Sequence, residues 1–209
     1  MILFVNKMDR IGANFSNSIR SILNKKIHFR PLVLQLPVYK SSGDGLESVV
    51  DILNPDIEQI NNVNQKNILN EVNRARECAI ETLSEVDEEL MNKFLECEDY
   101  NKINNDDIKL AIKRQTHNGN VLPILCGSAL KNINVDSVLN SMVDYLPSPN
   151  DVPSTQTLCG KEVSIGDPTI SCIALAFKVV WDSRKGWLTW VRVYSGMLFF
   201  LKKIEFKLC

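Results

Sequence analysis

Four residues near the start of the chain, Asn6, Lys7, Met8 and Asp9, have the types and spacing needed to recognise a purine base. The Asp9 carboxylate can accept two parallel hydrogen bonds, and guanine offers the matching donors, its N1–H and exocyclic amine, on one edge. Adenine has no such donor pair there. The Asn6 amide can meet another polar edge of the base, while the stem of Lys7 can cover its face. The cluster therefore predicts guanine recognition.

Chance weakens that prediction when the tetrapeptide is taken alone. A motif with three fixed residue types, each with a usage of about 5%, occurs by chance in roughly 2–3% of chains of this length. A second guanine-contacting element is needed, and Gly127, Ser128 and Ala129 provide a candidate. Small residues directly after a strand let backbone N–H groups approach the base, and those of Ser128 and Ala129 are the predicted donors to the guanine O6. The complete predicted guanine-binding set is Asn6, Lys7, Met8, Asp9, Ser128, Ala129 and Leu130.

Apolar runs directly precede both polar turns, at residues 2–5 and 121–125. Such runs are typical of buried parallel strands, and open α/β sheets place their ligands at the carboxyl ends of the strands. We therefore expect these two strands to be parallel neighbours, so that the turns after them form two walls of one base pocket.

The remaining elements follow from helical periodicity and from short apolar or alternating runs. Asn14 is the expected cap of the first helix, and Asn132 or Asn134 that of the last. Residues 54–67 are rich in Asn with little periodicity and are predicted to be loop. The predicted helices cover 14–26, 68–83, 87–95, 105–118 and 135–146, and the further strands cover 31–37, 49–53, 173–180 and 188–194.

Composition places the chain among ordinary globular proteins and argues against several other classes. Its 209 residues are 44% hydrophobic and 23% charged, with a net charge of -1, so no overall charge draws it to nucleic acid or membrane. No apolar run is long enough to span a bilayer, and no membrane partner is predicted. The six cysteines are scattered without ligand spacing and His28 and His117 stand alone, so reduced thiols are expected and no metal site is predicted.

Several blocks of the sequence resemble the translational GTPases of the elongation factor G type, and together they cover most of the chain. One spacing discriminates among GTPases. Asp9 and Ser128 are 119 residues apart, whereas a minimal GTPase has one helix and a loop between these turns, and the excess matches the inserted subdomain of this type. The resembling blocks are 4–15, 31–37 with 49–51, 126–132, 144–149, and 174–178 with 192–196.

The resemblance implies an α/β fold class: the C-terminal half of a P-loop GTPase domain with an inserted α+β subdomain, followed by the start of an all-β barrel domain. The guanine-binding strand, turn and helix are then expected at 1–30, the inserted subdomain and its helices at 31–118, and the end of the GTPase domain at 119–147. A linker is predicted at 148–169, and the barrel domain at 170–209. The residues after Ser195 and Gly196 depart from the family pattern.

The resemblance also implies an enzyme that hydrolyses GTP with the help of Mg²⁺. In this family the phosphate-binding loop, the switch segments and the Mg²⁺ ligands precede the Asn-Lys-x-Asp turn. We therefore expect no catalytic residue and no metal ligand in this chain, which by itself would be inactive and would bind GTP weakly or not at all.

Within the family, the turn at 182–186 and the block at 125–132 look most like the second mitochondrial form, which is associated with splitting ribosomes after termination. The predicted function is therefore ribosome recycling in mitochondria. The predicted partners are the mitochondrial ribosome, with its rRNA and ribosomal proteins, and ribosome recycling factor. Translocation during elongation is the alternative. A degenerate GTPase module that binds without hydrolysis is an alternative of another class.

Overall fold

The structure is a computed structural model that describes residues 1–25, 28–40, 45–56, 65–97, 99–100, 102–148, 151, 154–156, 162–163, 165–167 and 172–198. The chain divides into two compact units, Met1–Leu146 and Pro147–Cys209. The two hydrophobic core clusters formed by the described residues lie in the first unit.

The first unit is a mixed α/β structure, as predicted. Its elements in chain order are β1 (Leu3–Val5), α1 (Phe15–Asn24), β2 (Arg30–Val33), β3 (Gln35–Tyr39), β4 (Leu46–Asp51), α2 (Gln65–Ser84), α3 (Glu88–Cys97), α4 (Asn105–His117), β5 (Val121–Cys126) and α5 (Val135–Tyr145).

A three-stranded parallel sheet with the order β1-β5-β2 carries the polar turns. Leu3 is level with Ile124, and Val5 with Cys126, so β1 and β5 end side by side. All six residues of β5 are buried, as expected for a central strand covered on both faces. The predicted parallel pairing of these two strands is confirmed.

The strand β2 continues into β3 after a single residue, Leu34. Its last residue, Val33, is level with Ile124 of β5, and the Leu34 N–H still donates to the Ile124 carbonyl at 3.0 Å. The chain then leaves the parallel sheet, and β3 pairs antiparallel with β4. The predicted subdomain boundary at residue 31 therefore falls inside β2.

Helices α2, α3 and α4 pack together into the larger core cluster. One side of α2 is buried at Val72, Ala79, Ile80 and Leu83, which follow the helical period read from the sequence. Burying the Val, Ile and Leu side chains stabilises the fold by roughly 1.5–3 kcal/mol each. Since α2 begins at Gln65, the end of the loop predicted at 54–67 is helical, while 57–64 lie outside the described residues.

A buried carboxylate joins α3 and α4. Asp87, directly before α3, accepts hydrogen bonds from the Leu90 N–H, from two nitrogens of the Arg114 guanidinium and from the Gln115 side chain, at 2.8 to 3.0 Å. A carboxylate before a helix can be buried in this way when it faces a neighbouring helix and a cation pairs with it.

The second unit contains β6 (Thr155–Gln156), β7 (Glu162–Val163), β8 (Ile173–Asp182) and β9 (Gly186–Ser195). β8 and β9 form an antiparallel hairpin where alternation predicted strands. The turn is closed by the Asp182 carboxylate, which accepts from the N–H groups of Arg184 and Lys185 at 2.8 and 2.9 Å. All three tryptophans of the chain lie on this hairpin and are exposed.

The cysteines that the structure describes are all free: Cys78, Cys97, Cys126 and Cys172. Cys159 and Cys209 lie outside the described residues, as does most of the tail that departs from the family pattern. Of these thiols Cys126, at the end of β5, is buried, and burial raises its pKa to about 12. Within the described ranges, no helix is long and apolar enough to cross a membrane.

Candidate nucleotide site

The two polar turns meet at the ends of β1 and β5, and backbone bonds hold them together. The Gly127 N–H donates to the Val5 carbonyl, and the Met8 N–H donates to the Gly127 carbonyl, both at 3.1 Å. The sheet thus fixes the relative position of two turns that lie far apart in the chain.

Asn6 links the turns a second time through its side chain. Its Oδ1 accepts from the Lys7 N–H at 2.7 Å and from the Ala129 N–H at 2.9 Å. Because both neighbours are donors, the atom that faces them must be the carbonyl oxygen and not the amide nitrogen. The Asn6 amide therefore points away, with no acceptor among the residues the structure describes. It can donate to the N7 or O6 acceptors of guanine.

Asp9 lies against the second turn as a partly buried carboxylate. The pKa of Asp9 lies below its ordinary value. The hydrogen bond from the Ser128 hydroxyl is the main cause and the nearby Lys131 and Arg10 cations contribute, whereas partial burial alone would raise the pKa. Lys131 approaches it at 3.7 Å from Nζ to Oδ2. Ser128 itself is fully buried. Asp9 is thus ionised at neutral pH and held by one hydroxyl, which leaves acceptor capacity for the guanine donor pair.

More backbone N–H groups of the second turn are hydrogen-bonded within the chain than the sequence suggested. The Ser128 N–H, a predicted donor to O6, instead donates to the Ile133 carbonyl at 3.1 Å. The Ala129 N–H is directed at the Asn6 side chain. The free backbone donor of this turn is the Leu130 N–H, for which the described part of the chain provides no acceptor. The Ser128 N–H is therefore already used within the turn, which does not fit its predicted donation to O6, and the Ser128 hydroxyl faces Asp9.

Lys7 and Leu130 present apolar surface beside the turns. Lys7 is exposed and has a left-handed backbone with φ 66°, unusual for a residue with a side chain. Leu130 is 91% exposed. Both side chains are therefore accessible to cover the faces of a base.

Met8 does not belong with the base-contacting side chains. It is 2% exposed and packs with Phe15, Leu122 and Cys126 beneath the turn. Its inclusion in the predicted set is corrected: Met8 anchors the turn in the core, because an apolar side chain gains more from burial than from lying beside a polar base edge.

Gly127 is required by a close approach of the backbone. A Cβ at this position would lie 2.4 Å from the Ile133 carbonyl oxygen and 3.2 Å from the ring of Phe4. Only glycine lets the strand end and the returning turn pass so closely.

Three further residues support the site and were not predicted to do so. Lys131 pairs with Asp9, and the Asn134 amide donates to Gln35 and to the Cys126 carbonyl. Asn134 could be read from the sequence only as a possible helix cap. Gln35 carries no sequence pattern that indicates this role.

Mg²⁺ is implied for the family, but the residues that the structure describes contain no group of three side chains able to hold a metal ion. No step is therefore assigned to Mg²⁺ in this chain.

Comparison with known proteins identifies the relationship. The model of the elongation factor Tu GTP binding domain matches residues 1–148. The chain belongs to this family. The predicted relationship to translational GTPases is thereby confirmed.

Individual relatives agree with this assignment. The chain is 40% identical over 227 aligned positions to a Yarrowia lipolytica protein named mitochondrial ribosome-releasing factor 2, covering 94% of the chain and 28% of that protein. A Saccharomyces cerevisiae protein of the same name is 35% identical over 225 positions, covering 94% of the chain and 27% of that protein. The chain therefore spans little more than a quarter of these relatives.

Among solved structures, a crystal structure of a Thermus thermophilus protein matches 93% of the chain and 27% of its own length. Its TM-score is 0.67 at 20% sequence identity. At that identity the match shows a shared fold.

Proposed function

We propose that this chain is the guanine-selecting part of a ribosome-dependent GTPase that recycles mitochondrial ribosomes after termination. The observation that carries the proposal is the joint geometry of Asn6 and Asp9. Asn6 bridges two turns at neighbouring strand ends and keeps its amide free, while Asp9 is held ionised against Ser128. Together with the free Leu130 N–H, these groups match the donors and acceptors along the guanine edge.

Each residue has a separate role in this proposal. Asp9 accepts from the guanine N1–H and exocyclic amine, and the Asn6 amide and Leu130 N–H donate to the acceptors N7 and O6. Lys7 and Leu130 cover the faces of the base. Hydrolysis of the γ-phosphate, with Mg²⁺ and a phosphate-binding loop, is assigned to other parts of the whole protein, and GTP is its nucleotide.

The biological role is inferred from the relatives. Proteins named mitochondrial ribosome-releasing factor 2 are similar along nearly the whole chain, which favours recycling over translocation. The mitochondrial ribosome is the expected partner, and the mitochondrion the expected location. Domain II of the family would begin with the hairpin β8–β9.

A nucleoside titration tests the base assignment without any phosphate-binding element. The chain is titrated with guanosine, adenosine and xanthosine while backbone amide shifts are followed by NMR. We expect guanosine to bind weakly and to shift the amides of Lys7, Ala129 and Leu130, with adenosine leaving them in place. Equal shifts with both nucleosides would refute the guanine assignment.

The variant Asp9→Asn gives the first prediction. It replaces one acceptor by a donor that opposes the guanine amine, so the preference should change from guanosine to xanthosine, which has a carbonyl there. Asp106→Asn removes an exposed carboxylate of α4 and serves as the matched control, with guanosine preference unchanged. Retained guanosine preference in Asp9→Asn would remove Asp9 from the site.

The recycling role is tested on the full-length protein with purified mitochondrial ribosomes. Light scattering should show ribosomes separating into subunits when GTP and ribosome recycling factor are present. Movement of tRNA and mRNA without subunit separation would instead support translocation, and absence of any GTP hydrolysis would support the non-hydrolytic module.

A further inference from the structure

The turn after β5 has an unusual backbone. Ser128 and Ile133 exchange two backbone hydrogen bonds, at 3.1 and 2.9 Å, which close the turn on itself. Asn132 and Asn134 have left-handed backbones with φ 53° and 65°. Asparagine tolerates this conformation better than most residues, but glycine would adopt it without cost. Backbone conformation alone therefore does not explain why these positions carry asparagine side chains.

The Asn134 side chain has a partner on each side. Its Nδ2 donates to the Gln35 Oε1 at 2.5 Å and to the Cys126 carbonyl at 2.7 Å. Although Asn134 occupies the position before α5, its side chain makes no capping bond to that helix. The Asn134 side chain instead faces the start of the turn, so helix capping does not explain why asparagine occupies this position.

Gln35 reaches this place because of strand register. Val33 is level with Ile124, so two residues later Gln35 lies beside Cys126, where β5 ends. Gln35 is 2% exposed, and its backbone carbonyl oxygen accepts from the Cys126 thiol at 3.9 Å. A buried side-chain amide is costly unless it is hydrogen-bonded, so the bond to Asn134 is a strong constraint.

We propose that Gln35 and Asn134 form a latch that positions the guanine-binding turn. Asn134 ties the end of the turn to its start at Cys126, and Gln35, the first residue of β3, ties both to the β3–β4 pair. The latch thereby sets where the Ala129 and Leu130 N–H groups lie relative to the base. Gln35 and Asn134 are positioning residues that do not touch the base, and the proposal rests on the proposed guanine-binding function.

The chain offers a matched pair of variants for the test. Asn134→Gly removes the latch but accepts the left-handed backbone, and Asn132→Gly makes the same change two residues away. The Asn132 side chain has no hydrogen bond with residues that the structure describes. Both variants add the same backbone freedom, so any difference between them reports the latch.

Guanosine and inosine titrations of the chain, followed by NMR, provide the readout. Inosine keeps O6 but lacks the exocyclic amine that Asp9 recognises. We expect Asn134→Gly to weaken both nucleosides by roughly three- to tenfold, since it disturbs the donors to O6, and to leave their ratio unchanged. The free protein should also show displaced amide resonances of Ala129 and Leu130. Asn132→Gly should stay within about twofold of the parent.

Equal behaviour of Asn134→Gly and Asn132→Gly would overturn the latch. A changed guanosine-to-inosine ratio would also overturn it, because that ratio belongs to Asp9. If Asn134→Gly does not fold, Gln35→Met provides the test instead, because it removes the acceptor of the Asn134 amide while keeping the side-chain length. The proposal then requires that Gln35→Met displace the amide resonances of Ala129 and Leu130. A parent chain that does not prefer guanosine to adenosine would instead refute the proposed function and, with it, the role of the latch.

Discussion

The Asn6 side chain joins two turns that are 123 residues apart at their contact with Ala129. Its oxygen is fully used by two backbone donors within the chain. A ligand therefore finds the amide already oriented and does not have to order it. Pre-organisation of this kind lowers the entropy that binding must offset. The left-handed Lys7 belongs to the same arrangement, since its N–H supplies one of the two bonds.

Asp87 leads to the second prediction, which concerns stability at low pH. Burial alone would raise the pKa of Asp87, but the hydrogen bonds from Arg114, Gln115 and the Leu90 N–H outweigh it and lower the pKa from 3.8 to about 2. The folded state thus binds this proton less readily than the unfolded state does. The stabilisation is complete above about pH 4 and is lost as the pH falls toward 2.

Urea denaturation at a series of pH values measures this effect. Asp87→Asn should lower the free energy of unfolding at neutral pH by roughly 2–3 kcal/mol, because the Arg114 charge loses its bidentate partner. In the same variant the free energy of unfolding should decrease less between pH 4 and 2 than it does in the parent chain. Asp106→Asn, which removes an exposed carboxylate, should keep that fall. An unchanged pH profile in Asp87→Asn would contradict the assignment.

Helix α1 follows the guanine turn directly, and its start is fixed by one side chain. The Asn14 Oδ1 accepts from the Asn17 N–H at 2.9 Å, as an N-cap does. The cap positions the helix whose buried residue, Phe15, packs against Met8 beneath the turn. The element is therefore part of the support of the site.

The third prediction tests this cap. Asn14→Ala should lower the free energy of unfolding by about 1 kcal/mol, because a backbone N–H at the helix start loses its acceptor. Asn17→Ala, three residues on, removes an exposed side chain with no hydrogen bond among the described residues and should be neutral or slightly stabilising. Thermal denaturation followed by circular dichroism compares the two. Equal losses would show that Asn14 does not act as a cap.

The elements themselves were largely predictable from the sequence. The helical periods of α2 and α4 and the apolar run of β5 are local patterns, and local patterns determine local structure. The adjacency of β1 and β5 followed from the chemistry that their turns share. Contacts such as Gln35 with Asn134 were not predictable, because they depend on register between strands distant in the chain. The burial of Asp87 was missed for the same reason, since Arg114 lies 27 residues away.

The whole chain consists of two units with very different spectroscopic properties. All five described helices belong to the first unit, and all three tryptophans, Trp181, Trp187 and Trp190, belong to the second. Far-UV circular dichroism therefore reports mainly on the first unit, and tryptophan fluorescence on the second.

The fourth prediction is that these two signals have different midpoints in a urea titration. The first unit contains both of the core clusters that the described residues form, so we expect its transition to be cooperative and to occur at higher urea than the fluorescence change. A chain ending at residue 146 should reproduce the circular dichroism curve of the whole chain. Superimposable curves from the two probes would show that the units unfold as one.

The rate at which the buried Cys126 thiol is alkylated can report how often the site opens. Its sulfur lies at the end of β5, directly before the guanine turn, and its raised pKa keeps it in the unreactive thiol form. An alkylating reagent can modify it only while this part of the fold is open. Cys78 and Cys172 are exposed and react at once, so mass spectrometry separates them from the slow modification. The alkylation rate of Cys126 therefore measures how often the turn opens, and a nucleoside that binds there should slow it.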